Sequence, residues 1–219
     1  MNRAIYRYLV SAGNPAAPVD DVHFFAACIS HRAGLRTGSL CASLGLTPDS
    51  LNSLLYRFFP VFAAGMNGSE CNKSRLHGLA GQDFICECRG GLQEQENPRL
   101  EEWQDLNSLL LLHRTDPADE TSILMSAIIA NACLDEGHLW QDLGLADRED
   151  LNSALQRHFS QLHLKNSADM KWKKFFYRQL CDQAEIRLCQ APSCNLCNEY
   201  ANCFGPDGGE SWDRLAALR

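Results

Sequence analysis

The chain has 219 residues, 45% apolar and 21% charged, with 20 Lys and Arg against 27 Asp and Glu for a net charge of −7. That balance excludes a disordered tail and a membrane-embedded chain, and it lacks the basic footprint of a nucleic-acid-binding protein. Leu occurs 31 times whereas Val, Ile and Thr together number 15, and because β-branched residues favour strands this composition predicts a mostly α protein.

The stretch 1–18 breaks its short apolar run at Arg7 and does not resemble a secretory signal, and no run of 18 apolar residues occurs. Thr47-Pro48 places a capping hydroxyl before a proline at the first helical position, and Leu51, Leu54, Leu55 and Phe58 follow at helical spacing until Pro60 ends the run. Asn97-Pro98 opens a second helix, with Glu101 and Glu102 at its positive end and Leu100, Trp103, Leu106 and Leu110 on one face. Asp116-Pro117 opens a third through Asp119 and Glu120. Its body, 123–134, is apolar on most sides and predicts a buried central helix ending at Gly137. Asp147 caps a fourth helix carrying Leu151, Leu155, His158, Phe159 and Leu162. A fifth begins near Ser167 with Trp172, Phe176 and Leu180 on one stripe and Lys171, Lys174 and Arg178 on the other side.

A faint repeat runs through these elements. Gly38-Ser39-Leu40, Leu44-Gly45-Leu46, Leu51-Asn52-Ser53 and Arg57 recur as Gly137-His138-Leu139, Leu143-Gly144-Leu145, Leu151-Asn152-Ser153 and Arg157, offset by 99 to 100 residues. Two related helical units packed on one core account for the pattern, and two Leu-rich segments alike only in composition account for it equally. The expected organisation is an N-terminal helical unit over 1–64, a flexible Gly-rich insert over 65–97, a core helical unit over 98–187, a cysteine loop over 188–206 and a tail over 207–219.

No phosphate-binding glycine loop, zinc-protease helix or nucleophile elbow occurs. The acidic pairs Glu101-Glu102 and Glu149-Asp150 sit at helix starts, where they complement the dipole rather than act as an acid–base pair. The eleven cysteines are the outstanding feature. An odd number cannot all pair, and a reducing cytoplasm with a metal–thiolate site fits better than a secreted disulfide framework. Four of them form Cys189-x4-Cys194-x2-Cys197-x5-Cys203, with Pro192 and Ser193 favouring turns. Thiolates bind soft metals. Structural zinc usually takes two C-x2-C knuckles separated by a longer stretch, whereas the x4-then-x2 order matches plant-type ferredoxin ligation of an iron–sulfur cluster. The spacing therefore favours an iron–sulfur type cluster, with zinc as the alternative.

The stretch His138-Leu-Trp-Gln-Asp-Leu-Gly-Leu145, the stretch Asp169-Met-Lys-Trp-Lys-Lys-Phe-Phe-Tyr-Arg-Gln-Leu-Cys181 and the cysteine array ending Cys203-Phe204-Gly205 together resemble the NifQ family over roughly 98–206. The resemblance is weaker over 1–64. It implies a non-enzymatic carrier of a molybdenum–iron–sulfur cluster, built from an iron–sulfur precursor plus molybdenum, that donates molybdenum during biosynthesis of the nitrogenase iron–molybdenum cofactor. It implies Cys189, Cys194, Cys197 and Cys203 as ligands, without fixing which lies near molybdenum. The implied partners are molybdate, the cofactor scaffold complex and the nitrogenase iron protein, with no nucleic acid and no membrane. Two other readings stay open: a zinc-stabilised interaction module and an iron–sulfur redox sensor.

Secondary candidates carry plainer readings beside the functional ones. Cys181 is a spare ligand or, better, a buried structural thiol. His138 faces a ligand or serves as a hydrogen-bonded structural histidine. The Lys171, Lys174, Arg178 stripe attracts molybdate or an acidic partner, or is simply a solvated face. Trp172, Phe175 and Phe176 read as core that keeps water from the cluster. Cys71, His77, Cys86 and Cys88 form a loose group in the insert, better read as a loop with free thiols than as a metal-entry site. Cys28, Cys41 and Cys133 read as core packing.

Overall fold

Asn2 accepts hydrogen bonds from the N–H groups of Ala4 and Ile5 and starts helix α1, Arg3–Ser11, which buries Ile5, Tyr6 and Leu9. Helix α2, Val19–Ala33, buries eleven of its fifteen residues, so it has no polar stripe for the sequence to display. A short turn of helix, α3 (Leu40–Ser43), is capped by Ser39, and α4 (Pro48–Phe58) by Thr47. Then follow α5 (Pro60–Ala64) and α6 (Asn72–Leu79). The second half comprises α7 (Leu100–Leu112), α8 (Glu120–Cys133), α9 (Leu139–Asp142), α10 (Arg148–His158), α11 (Ser160–Lys165) and α12 (Trp172–Gln183). The computed structural model describes residues 1–35, 38–64, 72–79, 81, 99–184 and 203–204. Among these every regular element is a helix, and no helix is long and apolar enough to cross a membrane.

The helix starts expected at Thr47 and Asp147 are where the sequence puts them, with side-chain caps onto Ser50 and Asp150. Three of the expected helices differ in their bounds. The third expected helix starts at Asp119, whose carboxylate accepts from Thr121 and Ser122, while Asp116 instead closes a local turn on the N–H of Ala118. That helix ends at Cys133, before Gly137. The fifth starts at Trp172 rather than near Ser167, because Asp169 has φ +54° and Asn166 bonds both the N–H and the carbonyl of Met170, holding the segment in a loop. The fourth does not run on to Leu162. It breaks at Phe159, and α11 carries Leu162. On α7, Leu100 is exposed and Leu109 takes a buried position instead. Within 65–97, read as a flexible insert, residues 72–79 form α6, whose Leu76 is fully buried.

The two halves repeat helix for helix. α2 and α8, α4 and α10, α5 and α11, and α6 and α12 each begin about 100 residues apart. The contacts between halves exchange reciprocally. A Cβ added at Gly45 would lie 2.6 Å from Asn131 Cβ and 3.0 Å from the Ala127 carbonyl oxygen. One at Gly144 would lie 2.5 Å from His31 Cβ and 2.9 Å from the Ala27 carbonyl oxygen. Ala27 and Ala127, like His31 and Asn131, are 100 residues apart. Arg57 pairs with Glu120 on α8, and Arg157 pairs with Asp20 on α2, both at 3.3 Å. Such mutual exchange is what an approximate twofold axis between the halves requires. Within each half a lysine ties the last helix to the loop after the central one: Lys73 Nζ donates to the Leu35 carbonyl at 3.0 Å, and Lys173 Nζ to the Asp135 carbonyl at 2.7 Å. Buried side chains from both halves, including Phe25, Phe58, Phe59, Met125, Leu155, Phe159 and Phe176, merge in one core.

Candidate metal centre

The thiol array begins just beyond the C-terminal end of α12. Cys203, its last member, is described; Cys189, Cys194 and Cys197 lie outside the described residues. Cys203 and Phe204 form a short helical turn that packs on the core. The Cys203 carbonyl accepts the Lys171 N–H at 2.8 Å, and Lys171 is the N-cap of α12. The chain therefore leaves the C-terminal end of α12 and is tied again at its N-terminal end. Twelve helical residues put these ends about 18 Å apart. Residues 185–202 make that connection, and their fully extended reach is about 60 Å, leaving ample chain to wrap a compact object. Among the described residues no three His, Cys, Asp or Glu side chains converge to hold a metal ion.

The base under this tie is built rigidly. Arg148, at the start of α10, donates through Nη2 to the Asp169 carboxylate and carbonyl and to the Met170 carbonyl, at 2.8, 3.0 and 2.9 Å. Trp172 donates to Asn152 at 2.7 Å and stacks on His163, with Phe175 edge-on and Phe176 tilted beside it. These three aromatics are buried, as expected of core. Lys173 pairs with Asp142, whose carboxyl burial pushes up in pKa against the pull of the lysine.

A cleft of about 450 Å³ opens here, lined among others by His138, Trp140, Arg148, Lys171, Lys173 and Lys174, with Glu136 as its carboxylate. Lys171 and Lys174 of the expected basic stripe thus share one cavity. Arg178 does not join them: it is exposed and sits 3.9 Å from Asp182. His138 is the half-buried N-cap of α9, and its N–H donates to the Gln141 side chain. Nothing in the spacing alone announced that Arg148 would stand beside these residues, because it comes from a different helix.

The remaining cysteines separate by environment. Cys28 and Cys133 are buried, and burial pushes both thiols up to about 12, so neither supplies a thiolate at neutral pH. Cys41 is half-buried with its sulfur 3.1 Å from the Ser39 hydroxyl. Cys181 is half-buried on α12. In the loose group of the insert, His77 is buried and its Nε2 lies 3.0 Å from the Ala33 carbonyl oxygen, a structural role; Cys71, Cys86 and Cys88 lie outside the described residues.

Among the described residues the protein is a pair of helical repeats, and the last cysteine of the four-thiol array is tied to the start of the final helix. The NifQ family model matches residues 25–205, so the chain belongs to the NifQ family. The match reaches well into the first repeat, beyond the second-half motifs that carry the resemblance in the sequence. Protein NifQ of Azotobacter vinelandii is 39% identical over 178 residues, covering 81% of this chain and 84% of its own. Protein NifQ of Rhodobacter capsulatus is 32% identical, covering 88% and 93%. A Protein NifQ homolog of Sinorhizobium fredii (strain NBRC 101917 / NGR234) is 44% identical over 122 residues, 52% of this chain and 53% of its own. No solved structure matches the chain. Membership implies a role in nitrogen fixation and molybdenum handling.

Proposed function

We propose that the protein is a carrier, not a turnover enzyme, that holds a molybdenum–iron–sulfur cluster on Cys189, Cys194, Cys197 and Cys203 and donates molybdenum to nitrogenase cofactor assembly. The observation that carries this reading is the x4-x2-x5 thiol array of a NifQ-family chain, tied at its last cysteine to the start of α12. The donor set suits the group: four thiolates are soft ligands of the kind that hold iron–sulfur clusters, and such a cluster, when bound, would offer sulfide ligands to molybdenum.

This chain's own residues have definite tasks in that account. Lys171, through its backbone N–H, holds the end of the array against α12. Arg148 fixes the loop 169–170 from which Lys171 projects. Trp172, Phe175 and Phe176 form an apolar floor behind that tie, which limits water there. The partners are molybdate as cargo, the scaffold complex that receives it and the nitrogenase iron protein. A zinc-stabilised module and an iron–sulfur sensor are the competing uses of the same thiols, and each makes a different demand on molybdate supply. A diazotroph lacking this protein is expected to fix nitrogen poorly at low molybdate and normally at high molybdate, where the free oxyanion bypasses a carrier. An equal defect at every molybdate level contradicts the donor role.

A further inference from the structure

We infer that the cleft between α9, α10 and α12 is a binding site for a small tetrahedral oxyanion of the molybdate class, held by His138, Lys171 and Lys174 before it reaches the thiol array. The inference deepens the carrier reading and rests on it for the identity of the ligand. Its ground is a comparison the molecule makes with itself. The first repeat has the same helices, and its Lys73 makes the same tie to the Leu35 carbonyl that Lys173 makes to the Asp135 carbonyl. That lysine therefore belongs to the fold. The other cleft residues are not shared: the first repeat carries Ser39, Pro48, Cys71 and Ser74 where the second carries His138, Arg148, Lys171 and Lys174. One fold, built twice, has acquired cations only in the copy that runs on into the cysteine array.

The chemistry matches an anion. Arg148, Lys171, Lys173 and Lys174 line the cleft with Glu136, and Asp169 and Asp142 pair with Arg148 and Lys173 at its wall, so four cations face three carboxylates in a chain whose net charge is −7. Concentrating positive charge in one concavity of an acidic protein raises the local concentration of small anions and repels nothing the carrier needs. Arg148 pairs with Asp169 and Lys173 with Asp142, and Lys171 and Lys174 add ammonium groups to the same lining, a donor type that suits oxyanion oxygens. The volume of about 450 Å³ is many times the roughly 10–15 Å³ that admits one water, so an oxyanion enters with part of its hydration shell. The site is next to its destination, because the residue that lines it, Lys171, also holds the Cys203 carbonyl.

The test is equilibrium dialysis of the full chain against sodium molybdate at low ionic strength, with bound molybdenum measured by mass spectrometry. Cys194→Ser is dialysed beside the unaltered chain to separate the cleft from the array. The unaltered chain and Cys194→Ser are both expected to retain molybdate, with sulfate competing. Lys171→Gln/Lys174→Gln is expected to bind about tenfold or more weakly, the loss of charged hydrogen bonds. Arg178→Gln, which removes one charge from α12 outside the cleft as Lys174→Gln removes one within it, is expected to bind within about twofold of the unaltered chain. Lys174→Gln alone alters an exposed side chain and supplies the same reading if the double variant fails to fold. Undiminished binding by the lysine variants, an equal loss in Arg178→Gln, loss of all binding in Cys194→Ser, or no binding by any chain each overturns the cleft assignment. Retained cleft binding by a chain that never holds iron or sulfide leaves the site standing and sinks the carrier reading instead.

Discussion

Two glycines and one histidine show how closely the halves are fitted. Gly144 has φ +74°, and a Cβ there would stand 2.5 Å from His31 Cβ and 2.9 Å from a backbone oxygen of α2. Ala at that position meets both a left-handed backbone penalty and overpacking, and Gly144→Ala is expected to cost about 2–4 kcal/mol in urea unfolding. Gly38, with φ +71° and open space around its Cα, isolates the backbone part, so Gly38→Ala is expected to cost about 1–2 kcal/mol. Equal costs at the two sites contradict the interlock. His31, under that same contact, has its pKa lowered to about 4, chiefly by burial and then by the Met1 ammonium and Arg32. Its folded value is below the ordinary one, so the unfolded chain takes up a proton that the folded chain resists. Stability is complete above the ordinary histidine range and falls as pH drops from about 6.5 towards 4. His31→Asn, which installs the residue that Asn131 already provides in the other repeat, is expected to flatten this acid limb between about pH 7 and pH 4.5 in urea titrations. An unchanged limb assigns the acid sensitivity elsewhere. At this scale the sequence displays the glycines and the cysteine spacing plainly, because a left-handed turn needs a particular residue and the thiols recur at short fixed offsets. It does not display His31, whose burial depends on a turn more than 100 residues away.

Each repeat contains the same helix break, and its cause lies in packing. Phe59 has φ −135° and ψ 56°, Phe159 has φ −139° and ψ 49°, and both are fully buried. Pro60 follows the first and suggests a proline stop, since a residue before proline avoids helical dihedrals. Ser160 follows the second, where the break is unchanged, so the buried ring holds the geometry. Pro60→Ala is accordingly expected to shift unfolding by less than about 1 kcal/mol and to leave the helix content intact, whereas Phe159→Ala is expected to cost about 3–5 kcal/mol. A severe loss from Pro60→Ala favours the local stop. The same logic explains which elements were legible. The capped and amphipathic α4 and α10 stand out in the sequence. The run 151–162 looks continuous because its apolar spacing survives the break. Helices α1 and α2 went unread: α1 is short, and α2 is buried nearly all round and so offers no stripe. Helix α6 hides in a Gly- and Asn-rich stretch, where Lys73, Leu76 and His77 are secured by tertiary contacts rather than propensity.

Among the described residues, the repeat visible as a few recurring triplets extends to six helices in each half, and the ion pairs Arg57–Glu120 and Arg157–Asp20 exchange between the halves as the tie lysines recur within them. Duplication explains why a protein of modest size has a single core with contributions from both ends of the chain. What the halves share builds the fold, and what the second half alone possesses, the cationic cleft and the thiol array beyond α12, is where the proposed function is placed. The array is proposed from its spacing, the kind of pattern that ligation requires, whereas the cleft could be seen only once three helices were brought together. The most direct test of the central claim is elemental and paramagnetic resonance analysis of the full chain purified without oxygen, with Cys194→Ser as its comparison. The account predicts iron, acid-labile sulfide and molybdenum together in the unaltered chain, a cluster resonance signal, and loss of the iron, the sulfide and that signal in Cys194→Ser with the helical circular dichroism preserved. A chain that holds zinc in place of iron and sulfide, or a cluster that never takes up molybdenum when molybdate is supplied, contradicts it.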